Sequence, residues 1–163
     1  MAALDKIVER AELARWLLGL RAGGGKVVFT CGVFDVLHVG HVRYLEFARG
    51  LGAALIVGVN SDESVRQLQK GPERPIVTAL ERAEVVAALR AVDFVCVFDE
   101  PRPDATIAAL KPDIHVKSAQ YSTSDLPEAV VVERYGGVIV LAPHHPGHST
   151  SDIIRRVASG DKT

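Results

Sequence analysis

Apolar side chains recur at helical spacing through residues 4–20, where Leu4, Ile7, Val8, Ala11, Ala14 and Leu18 form one stripe. The pattern predicts an amphipathic helix stopped at Gly23-Gly24-Gly25. A continuous apolar run at 26–31 then predicts a buried strand, and GVFDVLHVGH opens a helix that runs to about Gly50. Residues 53–61 predict a second strand, followed by a short helix from Glu63 and a loop at 70–77 broken by glycine and proline. An amphipathic helix is expected over 78–92, with Thr78 and Glu81 as its capping box. Strands at 93–98, 113–117 and 137–142 alternate with helices at 103–111 and 126–136, and a helix from Ser151 closes the chain.

Strands that are apolar throughout and alternate with helices indicate a parallel sheet covered on both faces. The fold class is therefore α/β: a single Rossmann-like domain of about five parallel strands. Residues 1–25 form a helix and glycine linker packed on a domain spanning 26–163, with no internal repeat. In open α/β sheets ligands bind beyond the carboxyl ends of the strands, where the winding direction reverses. The segments after Cys31, Ser61, Lys117 and Ala142 are thus where chemistry is to be sought.

Composition narrows the classes. Of 163 residues 48% are hydrophobic and 24% charged, and the net charge of −1 lacks the basic footprint of a nucleic-acid binder. Cys31 and Cys96 lie inside apolar runs, which suits reduced core thiols better than a disulfide framework. No apolar run reaches membrane-spanning length, and Asp5, Lys6, Glu9 and Arg10 are foreign to a signal peptide. A cytoplasmic protein acting neither on membranes nor on nucleic acid is expected.

The first strand-to-helix turn holds the candidate chemistry. His38 and His41 sit three apart at a helix start, on one face, where bare backbone amides and the helix dipole favour phosphate. Gly40 and Gly32 admit close approach of a ligand to the backbone. A pair of histidines at this spacing could equally cap or pack. Ser149, Thr150 and Ser151 open the last helix in a similar way, and Ser149 with Asp152 also reads as a capping box. Gly23-Gly24-Gly25-Lys26 is no P-loop, because it precedes the strand and Val27 stands where Ser or Thr is needed. The dinucleotide fingerprint GxGxxG is absent from the sequence.

GVFDVLHVGH resembles the H-x-G-H signature of the cytidylyltransferase-like nucleotidyltransferases. LIVGVNSDESV, KGPERPI, ERAEVVAAL, AVDFV and KPDIHVK further resemble the adenylyltransferases that activate heptose 1-phosphate. The resemblance implies an enzyme that transfers a nucleoside monophosphate, AMP from ATP, to a phosphorylated small-molecule acceptor and releases pyrophosphate. A cytidylyltransferase acting on glycerol phosphate or a similar phosphoester is the alternative, and a non-catalytic nucleotide-binding module the rival from another class. Mg²⁺ would accompany the nucleotide without a dedicated protein metal site, and a homodimer is implied. Some heptose enzymes carry this domain fused to a sugar kinase; at this length any kinase is expected to be a separate protein.

The same resemblance implies the residue roles. His38, His41 and Lys117 are the catalytic candidates. Thr30, Gly32, Val33, Phe34, Gly40, Lys70, Arg74, Arg82, Ser149, Thr150 and Ser151 would serve the nucleotide and its phosphates. For Arg82 the plainer reading is an ion pair on a helix surface. Cys31, Asp35, Lys117, Ser118 and Gln120 would face the acceptor, although Asp35 could instead orient a backbone amide of the turn or help place Mg²⁺. Two departures fall here: Cys31 replaces an asparagine, and Lys117-Ser118-Ala119-Gln120-Tyr121 replaces K-G-G-D-Y. They put the acceptor's identity, not the reaction, in question. His144, His145 and His148 cluster near the last turn, either as added positive field or as loop composition.

Overall fold

The computed structural model describes residues 1–69, 71, 73–120, 122, 126–143 and 149–160. Its strands are β1 (Val27–Gly32), β2 (Ala54–Asn60), β3 (Phe94–Phe98), β4 (Ile114–Ser118) and β5 (Val138–Ala142). All pair in parallel, in the spatial order β3-β2-β1-β4-β5. The chain winds outward from β1 through β2 to β3, then crosses back to lay β4 on the other side of β1. The winding direction therefore reverses between β1 and β4, which places the crevice of this sheet there.

The helices are α1 (Arg10–Ala22), α2 (Val39–Arg49), α3 (Asp62–Gln67), α4 (Ala79–Ala87), α5 (Asp104–Leu110), α6 (Ala129–Arg134) and α7 (Thr150–Ser159). Alternation along each strand sends side chains to two cores. Val28, Leu55, Val57 and Val59 pack under Leu45 of α2 and Ala83, Val86 and Ala87 of α4. Val27, Phe29 and Ile56 pack under Leu13 and Leu17 of α1 with Ile107 and Leu110 of α5. Leu13 and Leu17 are fully buried, so α1 is part of the second core. Removing either side chain to Ala would cost about 2–5 kcal/mol.

Three element boundaries differ from the sequence pattern. The expected helix over 4–20 is split: Leu4–Lys6 is a 3₁₀ turn, and the long helix begins at Arg10. Ile7 instead bridges Val95, and Val8 N–H donates to the Val95 carbonyl at 2.9 Å. These β-branched residues cover part of the otherwise open edge of β3. Helix α4 ends at Ala87 rather than 92, since Leu89 and Val92 turn back into the start of β3. Helix α6 begins at Ala129, after a turn through Leu126–Glu128.

One feature of the sheet prepares the site. β1 pairs β2 from Val27↔Ala54 to Gly32↔Val59, whereas it pairs β4 only at Val28↔Ile114 and Phe29↔His115. Beyond that point the Val116 carbonyl is taken by side chains: Tyr44 Oη donates at 2.8 Å and Thr30 Oγ1 lies at 3.0 Å. The two hydroxyls are 2.6 Å apart, so they share two protons among three contacts. This polar cluster closes the floor where the ladder stops.

Candidate active site

The chain leaves β1 through Val33, Phe34 and Asp35. Phe34 adopts φ 51°, a left-handed conformation that costs a non-glycine residue of order 1–3 kcal/mol. Three anchors hold it. The Val33 carbonyl accepts from Arg82 Nη1 at 2.5 Å. Asp35, 4% exposed, accepts from the backbone N–H groups of Ile76 (2.8 Å) and Val77 (3.0 Å) and pairs with Arg74. A Cβ built on Gly32 would stand 3.1 Å from the Phe34 ring, so glycine there lets the ring fold back over the strand end.

This anchored turn delivers His38 to the N-cap of α2, and one helical turn later His41 stands beside it. Their rings stack with centroids 3.9 Å apart at 28°, and Phe34 lies against His41 at 5.2 Å. The His38 backbone N–H donates to His41 Nδ1 at 3.3 Å. With Nδ1 accepting, the proton of the neutral His41 ring sits on Nε2 and is available as a donor. Burial, and then the neighbouring His38, push the His41 pKa down to about 4. Near neutral pH His41 is an uncharged hydrogen-bond donor.

Across the sheet reversal, Lys117 at the end of β4 forms the facing wall. Its Nζ lies 3.0 Å from Glu128 Oε1. Burial alone would raise the Glu128 carboxyl, but the hydrogen bond with His115 and the Lys117 ammonium outweigh it and hold the pKa at about 2. Burial pushes the Cys31 thiol up to about 11, against the pull of Lys117. The third wall is the start of α7. Ser149 Oγ accepts the Asp152 N–H at 3.0 Å, and Thr150 Oγ1 donates to the Val36 carbonyl at 3.1 Å, tying that helix start to the histidine turn.

The walls enclose a cleft of about 630 Å³. It brings together Cys31, Gly32, Val33, Phe34, Asp35, His38, Gly40, His41, Arg74, Lys117, Ser118, Gln120, Ser149, Thr150 and Ser151, all singled out from the sequence. Tyr44 and Pro143 join them unexpected. Both carried a signal: Tyr44 is three residues past His41 on the same helical face, and Pro143 follows a strand end. Strand β2 contributes nothing, because its end is occupied by capping. Ser61 Oγ accepts the Ser64 N–H at 3.2 Å, and Asn60 bonds Ser64 Oγ at 2.9 Å.

Three expectations need correction. Arg82 does not line the cleft, and it is not a surface ion pair. It is 1% exposed, and its guanidinium bonds the Val33 carbonyl, the Val77 carbonyl (2.9 Å) and Asp62 (2.8 Å). Thr30 is fully buried beneath the cleft, committed to Tyr44 and Val116. Asp35 borders the cleft, but its carboxylate is spent on the 74–77 segment rather than on an acceptor. Lys70, His144, His145 and His148 lie outside the described residues. Glu128 was missed; nothing local in LPEAVVVE marks a glutamate whose partners come from another element.

Comparison with known proteins returns one consistent relationship. Residues 29–156 match the model of the family described as cytidylyltransferase-like. The chain is 48% identical over 153 residues to the bifunctional protein HldE of Trichlorobacter lovleyi, covering 94% of this chain and 31% of that protein. It is 49% identical over 153 residues to the protein of the same name from Syntrophotalea carbinolica, with the same coverage of 94% and 31%. The chain thus spans about a third of the length of these curated relatives. A crystal structure of the lipopolysaccharide core biosynthesis protein from Thermoplasma volcanium superposes with a TM-score of 0.63 at 27% identity, covering 75% of this chain and 98% of that one.

Proposed function

The chain belongs to the cytidylyltransferase-like family, and from that premise we propose that it transfers AMP from ATP to a sugar phosphate of the heptose 1-phosphate kind, releasing pyrophosphate. The observation that carries the reading is the cleft at the sheet reversal. There a stacked histidine pair on one helix start, hydroxyls on a second helix start and a strand-end lysine converge on one space. That set suits two phosphorylated ligands meeting head to head. The likeness to the HldE proteins supports the heptose side of the proposal.

In the proposed reaction an oxygen of the acceptor phosphate forms a bond to the α-phosphorus of ATP. The bond from that phosphorus to the bridging oxygen breaks, and pyrophosphate leaves with the electron pair. The protein aligns the two phosphates and stabilises charge gathered on the transferring group. Neutral His41 donates from Nε2 to a phosphate oxygen, and His38 stands stacked beside it. The Ser151 hydroxyl and the amides opening α7 receive the leaving phosphates, while Thr150 spends its proton on the Val36 carbonyl. Lys117 holds the acceptor phosphate.

We take Mg²⁺ as the accompanying ion. Among the described residues no group of three His, Cys, Asp or Glu side chains could hold a metal. The cleft instead offers hydroxyls, at Thr150 and Ser151, which suit a hard ion carried in on the nucleotide's own oxygens. When bound, the ion neutralises the leaving pyrophosphate. No helix among the described residues is long and apolar enough to cross a membrane. The proposed setting is the cytoplasm, as a homodimer; light scattering at a mass of 17.5 kDa would refute the dimer.

The test is pyrophosphate release with Mg²⁺, each of ATP, CTP, GTP and UTP, and a panel of phosphorylated acceptors that includes heptose 1-phosphates. Release with ATP and a heptose 1-phosphate is expected, and release with CTP and glycerol phosphate would replace the proposal by its alternative. His38→Ala and His41→Ala should each lower kcat by about 10²–10³ with little change in nucleotide binding.

A further inference from the structure

Glu128 is buried to 4% exposure at the N-cap of α6, and the reaction just outlined does not use it. Its Oε1 lies 3.0 Å from Lys117 Nζ and 3.5 Å from His115 Nε2. The two partners are two residues apart on β4, hence on one face of the strand. The other His115 nitrogen, Nδ1, lies 3.3 Å from the Phe29 carbonyl of β1, and the ring stacks on Phe29 at 5.6 Å. A continuous polar line therefore runs from the backbone of β1 through His115 and Glu128 to the Lys117 ammonium on the cleft wall.

A buried carboxylate is costly unless paired, and an apolar pair of the same volume would often serve stability as well or better. Stability alone gives little reason for this line to end on a cleft surface. What it does supply is a cation with its long stem already fixed. A lysine otherwise gives up the rotamer freedom of its long stem when it is immobilised.

We propose that Glu128 is a positioning residue. It holds the Lys117 ammonium in place at the acceptor end of the cleft, and His115 holds Glu128 in turn. The assignment of that end to the acceptor phosphate rests on the function proposed above; the positioning itself does not. The charged and titratable groups facing this array are His115 of β4, the Cys31 thiol of β1, and Asp104 at the start of α5, whose field reaches Cys31.

The first readout is independent of activity. Acylation of Lys117 by acetic anhydride at pH 8, followed by peptide mass spectrometry, reports the fraction of free amine. Glu128→Gln removes the neighbouring negative charge and should raise that rate about tenfold or more, while Glu128→Asp stays near wild type. An unchanged rate in folded Glu128→Gln would overturn the proposal.

Should that variant not fold, Lys117→Met tests the link from the other end. The Glu128 carboxyl, held at about 2, should then titrate higher by carboxyl ¹³C NMR; an unmoved titration would overturn the proposal equally. With an acceptor in hand, Glu128→Gln should lower kcat about tenfold or more without a matching rise in acceptor KM. A wild type silent on every acceptor would sink the proposed reaction and leave both chemical readouts standing.

Discussion

Replacing Arg82 with Met removes a guanidinium that is 1% exposed and leaves three oxygens behind. The thioether fills much of the space of the aliphatic stem, so the loss is chiefly polar. Asp62 keeps about a third of its side chain in solvent and rehydrates, which makes its share small. The Val33 and Val77 carbonyls lose donors at 2.5 and 2.9 Å. Each buried acceptor left unsatisfied costs about 1–3 kcal/mol, so the variant should lose about 2–6 kcal/mol. Urea unfolding measures this directly, and Arg82→Lys should recover only part of it, since an ammonium cannot span three oxygens as a planar fork does. The kinetic consequence follows from where Val33 sits. Its carbonyl fixes the turn that carries Phe34 and the histidines, so kcat should fall with the nucleotide KM changed much less. A folded Arg82→Met with stability within about 1 kcal/mol of wild type and a selective rise in nucleotide KM would refute this reasoning. It would show that the guanidinium leaves its buried seat to bind phosphate.

Asp35→Asn keeps an oxygen for the Ile76 and Val77 amides but turns an NH₂ toward Arg74. Breaking this nearly buried pair should cost about 3 kcal/mol and lower Tm by about 6–12 °C, and a calorimetric shift under 2 °C would refute the clamp. Thr30→Val removes one of two hydroxyls at the Val116 carbonyl. It should cost about 1 kcal/mol by urea unfolding and leave the nucleotide KM unchanged, whereas a large KM effect would restore Thr30 to the phosphate site. Stability should also rise as pH goes from about 4 to 6.5. In that window the unfolded His41 takes up a proton that the folded ring, its pKa pushed down to about 4, refuses. Allowing for partial exposure the gain is about 1–3 kcal/mol, and His41→Gln should flatten the urea-midpoint profile over that range. Glu128 acts in a separate window: its stabilisation is complete above about 4.5 and is lost as pH falls toward 2.

Continuous apolar runs were enough to read the five strands: β1 to β3 are buried almost throughout, and the half-exposed edge strand β5 keeps an unbroken apolar run of its own. The histidine turn was legible for a similar reason: its parts lie within one short stretch of chain. The failures share a cause, which is that the deciding contact comes from elsewhere. Arg82 reads as a phosphate cation until Val33, forty-nine positions away, is placed against it. A local warning did exist, since Arg82 falls on the stripe of Ala79, Ala83 and Val86, the buried face of α4. Glu128 gave no such warning, because it precedes α6 and both its partners lie on β4. The N-terminal helix failed for another reason. Ile7 and Val8 fit a helical stripe, but the uncovered edge of β3 offered a bridge and a backbone hydrogen bond that outweighed it.

The cleft is thus built by two different routes. On the histidine side, a strained turn is held from behind by Arg82 and from below by Asp35, and Thr150 ties the start of α7 to it through the Val36 carbonyl. Disturbing any of these anchors shifts the whole histidine turn, so its variants should lose stability and kcat together. On the Lys117 side, the positioning line passes through one strand and one helix cap. The remaining lining residues Cys31, Ser118 and Gln120 are uncharged, the thiol because burial keeps it protonated. Under the proposed reaction this side meets the sugar. Discrimination there must come from shape and neutral hydrogen bonds, with Lys117 recognising only the phosphate that every acceptor carries. Cys31→Asn and Gln120→Asp, which restore the residues of the resembling heptose enzymes, should therefore change the ranking of acceptors in the pyrophosphate assay and leave the preferred nucleotide unchanged. Reranked nucleotides with an unchanged acceptor order would mean that the two ends of the cleft have been assigned the wrong way round.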